Sequence, residues 1–309
     1  MELSQIVLNQ TLTMFLYMLL GYLLFKYEKV DTTGSGAIAS LLLWLVIPSS
    51  IINSFCVPFS ARRMQGFLVS ALLGLIAILI AGGVSWVFFH RRPLDQFAAT
   101  FSNASFIGIP LIQACLGSEA VFYLVSLIVF INVGQWTIGA TIIQHDICQD
   151  TSPKITARKF FYNPVTLSAI VGFVLFVTRL GGSLPSILSG CIQGVTALNA
   201  PLAMIILGVY LAQTELKSLV TEPALYLVSL VRLVIIPLLT LAVFAFIPAD
   251  EIIQLTLLIA AGAPAGSNVA VYAQVYGSDY TYACKTVTQS TVLSILSLPA
   301  LIGLAQMIL

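Results

Sequence analysis

Two stretches, "FSNASFIGIPLIQACLGS" from Phe101 and "AAGAPAGSNVAVYAQVYGS" from Ala260, set amides, hydroxyls, glycine and proline inside otherwise apolar sequence. Proline removes a backbone hydrogen bond and clashes with the preceding helical turn. In lipid the freed carbonyls must be met by protein or water, so such an interruption is tolerated only where it is buried or faces a cavity. The half-helix ends would then offer N–H groups of partial positive charge, suited to an anion, and carbonyls suited to a cation. Asn103, Ser105, Ser267 and Asn268 add neutral hydrogen-bonding groups at the same depth, beside Pro110 and Pro264. The structural alternative is that the prolines kink packed helices and the small residues permit close approach. Two such stretches at repeat-related positions favour binding.

Other polar residues fall within apolar sequence. Asn132 and Gln135, in "FINVGQW", sit about one turn apart and could face one cavity, with Gln289 in the corresponding last span. Interhelical hydrogen bonding accounts for them equally well. Arg232 and Lys285 are basic residues inside apolar segments, where a mid-membrane charge costs at least about 2.5 kcal/mol. Both lie one to two turns from the end expected to be cytoplasmic, so snorkelling is predicted. Lys285 also follows the second interrupted stretch, from where it could approach a bound carboxylate. All twelve Asp and Glu residues fall in loops or at span ends, leaving no buried carboxylate for a proton relay or a direct sodium ligand. His90 and His145 are in loops, and no catalytic or metal-binding cluster is visible, which argues against an intramembrane enzyme. No cofactor is expected. Coupling to Na+ or H+ is left open, and amides, hydroxyls and helix ends suit a small organic anion better than a cation.

The elements that must position these residues are membrane helices. Of 309 residues, 59% are hydrophobic and 8% charged, far from the roughly 25% charged of a soluble domain. A net charge of +1 gives no reason to invoke nucleic acid. The five cysteines show no CxxC spacing and read as packing thiols. Apolar windows of about 20 residues, enough to cross a bilayer core, predict ten spans: near 5–25, 35–55, 66–89, 96–116, 120–143, 162–179, 186–212, 224–247, 252–275 and 281–307.

The two halves resemble each other in the same order. "LGYLLF" from Leu20 answers "VGFVLF" from Val171, and Ile47-Pro48 answers Ala200-Pro201. "FLVSALLGLI" from Phe67 answers "YLVSLVRLVI" from Tyr226, and "GSE" at Gly117 answers "GSD" at Gly277. Five spans per half is an odd number, so the second half enters the membrane upside down, an inverted repeat of the kind that gives alternating access. The GSE–GSD register sets Pro264 opposite Ala104 rather than Pro110, so the breaks need not be equivalent. The expected fold is all-α, with ten helices in two inverted five-helix repeats, 1–143 and 162–309, joined by a linker at 144–161. Alternate loops carry eight basic residues on one side and three on the other, which makes the richer side cytoplasmic and both termini extracytoplasmic.

At "NASFIGIPL" (Asn103), "NPVTLSAIVGFVLF" (Asn163), "APLAMIILGVYL" (Ala200), "LVRLVIIPLL" (Leu230) and "APAGSNVAVYAQVYGSD" (Ala263), the chain resembles the auxin efflux carrier family of bacterial permeases and plant exporters. The resemblance implies a scaffold of about 1–58 and 162–213, and a transport domain of about 64–143 and 224–309. Its fourth and ninth helices would cross at proline breaks, with substrate beside the crossover and an elevator-like shift between states. By motif this points to Asn103, Pro110, Pro264 and Asn268. The short central link is similar to the compact bacterial form, for which small carboxylates such as malate or malonate are the expected cargo. The resemblance further implies residence in the cell membrane among lipids, and relatives with this fold form homodimers. A membrane sensor that binds a ligand without moving it is the competing reading.

Overall fold

The computed structural model describes residues 2–147, 164–213 and 216–309. Among the described residues the chain is helical throughout, apart from short connections and one isolated β-bridge. The first half contains α1 (Glu2–Lys26), α2 (Thr32–Leu41), α3 (Ile47–Phe55), α4 (Ala61–Phe89), α5 (Pro93–Thr100), α6 (Ile109–Leu116), α7 (Ser118–Gly134) and α8 (Ala140–Ile147). The second contains α9 (Pro164–Val177), α10 (Ser186–Thr196), α11 (Asn199–Ala212), α12 (Leu216–Thr221), α13 (Pro223–Leu230), α14 (Ile236–Phe244), α15 (Glu251–Gly262), α16 (Asn268–Tyr276) and α17 (Tyr280–Ile308). π turns join α2 to α3, α7 to α8 and α13 to α14, and a fourth, Ala104–Gly108, leads into α6.

Among the described residues seven helices are long and apolar enough to cross a membrane: Gln5–Lys26, Thr33–Phe55, Ala61–Phe89, Ser118–Ile143, Ser186–Ala212, Pro223–Phe244 and Tyr280–Ile308. They fall within a few residues of seven expected spans. The other three expected spans hold shorter apolar helices, Ala104–Leu116, Pro164–Val177 and Glu251–Gly262. Most of the expected linker lies outside the described residues, because α8 runs to Ile147 and description resumes at Pro164.

Short polar residues start several of these helices. Asp31 Oδ1 accepts from Gly34 N–H (2.6 Å) at α2, Ser60 Oγ from Arg63 N–H (3.2 Å) at α4, and Asp279 Oδ1 from Tyr282 N–H (2.8 Å) at α17. Each meets a donor that a helix leaves without an internal partner. Gly117 (φ +85°) ends α6 and Gly277 (φ +76°) ends α16. These are the glycines of the GSE and GSD motifs, and the backbone there needs a residue without a Cβ.

The outer face is apolar, unlike that of a soluble protein. On α4, Leu68, Leu72, Leu79 and Val87 are exposed while Ser70 and Ser85 are buried, as expected when the solvent is lipid and polar groups face the bundle interior. The halves interlock, α1 packing on α11, α3 on α9, α5 on α17 and α15 on α7, while α4 pairs with α7 and α13 with α17 inside their own halves. In the α1–α11 contact Gly21 faces the carbonyl of Ile205, and Gly208 that of Met18. A Cβ on either would run into the opposing backbone, so van der Waals contact between the two helices depends on small residues.

Candidate functional site

The two interrupted stretches meet. Helix α5 ends at Thr100, where Phe101 is extended, and α15 ends at Gly262, where Ala263 is extended. The segments between the helices lie antiparallel, Ser102 bridging Ala265. Asn103 N–H donates to Pro264 O (2.8 Å) and Gly266 N–H to Phe101 O (2.9 Å). Ala265 N–H finds Ser290 Oγ on α17 (3.2 Å). Backbone groups left without intrahelical partners are thus met by the other interrupted stretch and by one serine, which satisfies the need for internal pairing.

The carbonyls at the ends of α5 and α15 are met by Arg232. This corrects the predicted snorkelling: the side chain is 1% exposed and does not run to an interface. Its Nε donates to Ala263 O (3.0 Å), Nη1 to Ala99 O (2.9 Å) and Thr100 O (3.3 Å), and Nη2 to Ala261 O. The five donors of a planar guanidinium suit several carbonyls at once. Here they tie together the C-terminal ends of α5 and α15, one from each half of the chain. Arg232 sits in the π turn Val231–Ile235, a kind of distortion frequent at functional sites.

On the other side of the bridge lies a narrow cavity with room for about two water molecules. Ser102, Asn103, Ser105, Asn132, Gln135, Ser267 and Asn268 supply its polar lining, and Leu43, Ile47 and Val165 close it from α3, its preceding π turn and α9. Asn268 Nδ2 donates to Gln135 Oε1 (2.7 Å), joining the first turn of α16 to the π turn after α7. Asn132 Nδ2 donates to Ile128 O (2.8 Å) within its own helix. Asn103 is 3% exposed; its Oδ1 accepts from Phe106 N–H (3.4 Å), and among the described residues its Nδ2 has no partner. An unpaired buried amide donor costs roughly 1–3 kcal/mol. Here it lines a cavity that lies at the start of two helical segments, where the backbone adds partial positive charge.

Seven of the ten sequence candidates therefore cluster: Asn103, Ser105, Asn132, Gln135, Ser267 and Asn268 around the cavity, and Pro264 in the bridge. Pro110 does not join them. It lies in the first turn of α6, beyond a π turn, so the first interruption is at 101–103. Gln289 is engaged elsewhere, accepting from Ser229 Oγ (3.1 Å) and donating to Leu219 O (2.8 Å). Lys285 Nζ is paired with Glu222 Oε1 (2.5 Å). A second correction concerns the acids. Asp95, in the first turn of α5, is 3% exposed and accepts from Tyr282 Oη (2.7 Å), with Arg92 at 3.8 Å, so a carboxylate is buried after all. Its position two residues inside a helix start hid it. Among the described residues no group of His, Cys, Asp and Glu could hold a metal ion.

Residues 150–302 match a family model described as membrane transport protein. The match contains Arg232, Pro264, Ser267 and Asn268. A search of curated proteins finds no match to the chain.

Proposed function

This chain carries the membrane-transport domain of the auxin efflux carrier family at residues 150–302, and on that premise we propose a secondary active transporter for a small organic anion such as a mono- or dicarboxylate. The family is one of transporters and not of enzymes, and with the apolar helices it makes the chain a multi-pass membrane protein. We further read the cell membrane as its location, with both termini extracytoplasmic.

The observation that carries the anion is Asn103 Nδ2, which among the described residues is a buried donor with no partner, in a cavity with no acidic side chain on its wall. A carboxylate oxygen would satisfy it, and a charge-assisted hydrogen bond of that kind is roughly twice as strong as a neutral one. Ser105, Ser267, Asn132 and the Gln135–Asn268 pair are within the same lining and supply further neutral contacts.

Alternating access follows if the ten spans form two inverted repeats. The exchange of contacts between halves supports that reading, as do the paired positive-φ glycines 117 and 277. In it α1–α3 and α9–α11 form a scaffold stiffened by the close α1–α11 packing at Gly21 and Gly208. The bridge and its helices slide against that scaffold as an elevator. The cavity is walled on one side by scaffold residues Leu43, Ile47 and Val165, so the slide would carry the amides from one set of apolar walls to another and open the site to the opposite face.

The test is reconstitution of the full chain in proteoliposomes with labelled mono- and dicarboxylates. Protein-dependent uptake or exchange is expected. No flux of any organic anion would overturn the proposal, and binding without flux would favour a sensor.

A further inference from the structure

Two helix C-termini converging on one point is an electrostatic problem that the fold must solve. Each end carries roughly half an elementary negative charge, so α5 and α15 together present roughly one full charge at Ala99, Thr100, Ala261 and Ala263. Four carbonyl oxygens facing a common centre are also the ligand chemistry of a hard cation, and unwound helix carbonyls are where transporters bind sodium. In this chain that centre is filled by the Arg232 guanidinium, which donates to all four. Among the described residues no carboxylate pairs with Arg232; its counter-charge is the carbonyl cluster itself. In the pairing of "FLVSALLGLI" with "YLVSLVRLVI", the position opposite Arg232 is Leu73, fully buried and apolar. One arginine therefore serves both helix ends, where twofold symmetry alone would ask for two.

We propose that Arg232 is a built-in cation that stands in for a bound metal ion at the crossing of the two interrupted stretches. The crossing is assembled and held by a covalently attached charge, so neither its stability nor its readiness to accept an anion depends on Na+. This deepens the reading of the junction as the transport site and rests on it, yet it can be tested without knowing the transported anion.

The experiment is thermal unfolding of the purified full chain in lipid nanodiscs. Chloride salts of Na+, K+, N-methylglucamine and guanidinium at sub-denaturing concentration are compared at fixed ionic strength. The wild type is expected to unfold at the same midpoint in Na+, K+ and N-methylglucamine. Arg232→Met fills the volume without the charge. It should unfold earlier than wild type in N-methylglucamine and recover part of the loss as Na+ or guanidinium rises, because a cation that binds only the folded state raises its midpoint by mass action. Loss of packing alone would confer no such dependence. Should Arg232→Met fail to fold, Arg232→Lys decides: folded and indifferent to Na+ supports the proposal, whereas dependence on Na+ overturns it. A wild type whose midpoint climbs with Na+ overturns it as well. So does an Arg232→Met protein that responds to none of the cations, whatever its stability.

Discussion

Asn268 at the first turn of α16 donates its amide to Gln135 Oε1 across 2.7 Å, linking residues 133 positions apart. The bond fixes one wall of the cavity to another, so neither side chain is free to be exchanged without disturbing its partner. Asn268→Ala and Gln135→Ala should each reduce anion uptake in proteoliposomes about tenfold, the equivalent of about 1.4 kcal/mol. Residues that act as a pair are non-additive, so the double variant should be little worse than either single one. Uptake by both single variants at the wild-type rate would place the site elsewhere.

Asn103 separates stability from transport. Its Nδ2 makes no hydrogen bond among the described residues and weighs against the fold, while its Oδ1 makes one long capping bond to Phe106 N–H. Replacing a capping asparagine by alanine costs about 0.5–2 kcal/mol, and here removal of a buried unpaired donor offsets part of that. Asn103→Ala should therefore unfold within a few degrees of wild type while losing at least about tenfold in uptake. Asn103→Asp keeps the capping oxygen but sets a negative charge against an anion, and should abolish uptake. Parallel thermal unfolding and flux measurements check both.

The helix positions were legible in the sequence because lipid demands long apolar runs, and among the described residues seven of them stand out by length and composition. The polar cluster was legible because Asn103, Ser267 and Asn268 have no reason to lie in apolar sequence unless something there needs them. What sequence could not show is which carbonyls a basic side chain would reach. Arg232 stands a turn or two from a span end, where snorkelling is ordinarily open to it, and only the three-dimensional meeting of α5 and α15 makes the inward path better. Pro110 misled for the opposite reason. Here the π turn Ala104–Gly108 accommodates it within a helical run that continues to Leu116.

The α1–α11 contact makes a sharper stability prediction. Gly21 and Gly208 each face a backbone carbonyl of the other helix, with no space for a Cβ, whereas a Cβ on Gly82 in α4 meets nothing within 4 Å. Gly82→Ala should be neutral or stabilising by up to about 1 kcal/mol, since alanine is the better helix former. Gly21→Ala and Gly208→Ala should each destabilise by about 1–3 kcal/mol, the ordinary cost of overpacking, and combine less than additively because they open the same contact. Unfolding midpoints of the four proteins in nanodiscs decide the matter; equal midpoints would mean that the helices cross differently.

Lys285 tests where charge matters. Its ammonium pairs with Glu222, the residue that precedes α13, and a negative charge at a helix start is favourable by itself. Lys285→Met leaves that carboxylate at the positive end of a helix, partly exposed to solvent, and should cost under about 1 kcal/mol, as for other accessible pairs. Glu222→Gln leaves the ammonium facing the same positive end and should cost more, while the double variant recovers part of the loss. Neither residue borders the cavity that holds Asn103. Anion uptake should therefore survive Lys285→Met at close to the wild-type rate, even though lysine is the side chain that chemistry alone would nominate to hold a carboxylate. A Lys285→Met protein that is stable yet unable to move any carboxylate would show that the anion visits this lysine along its path.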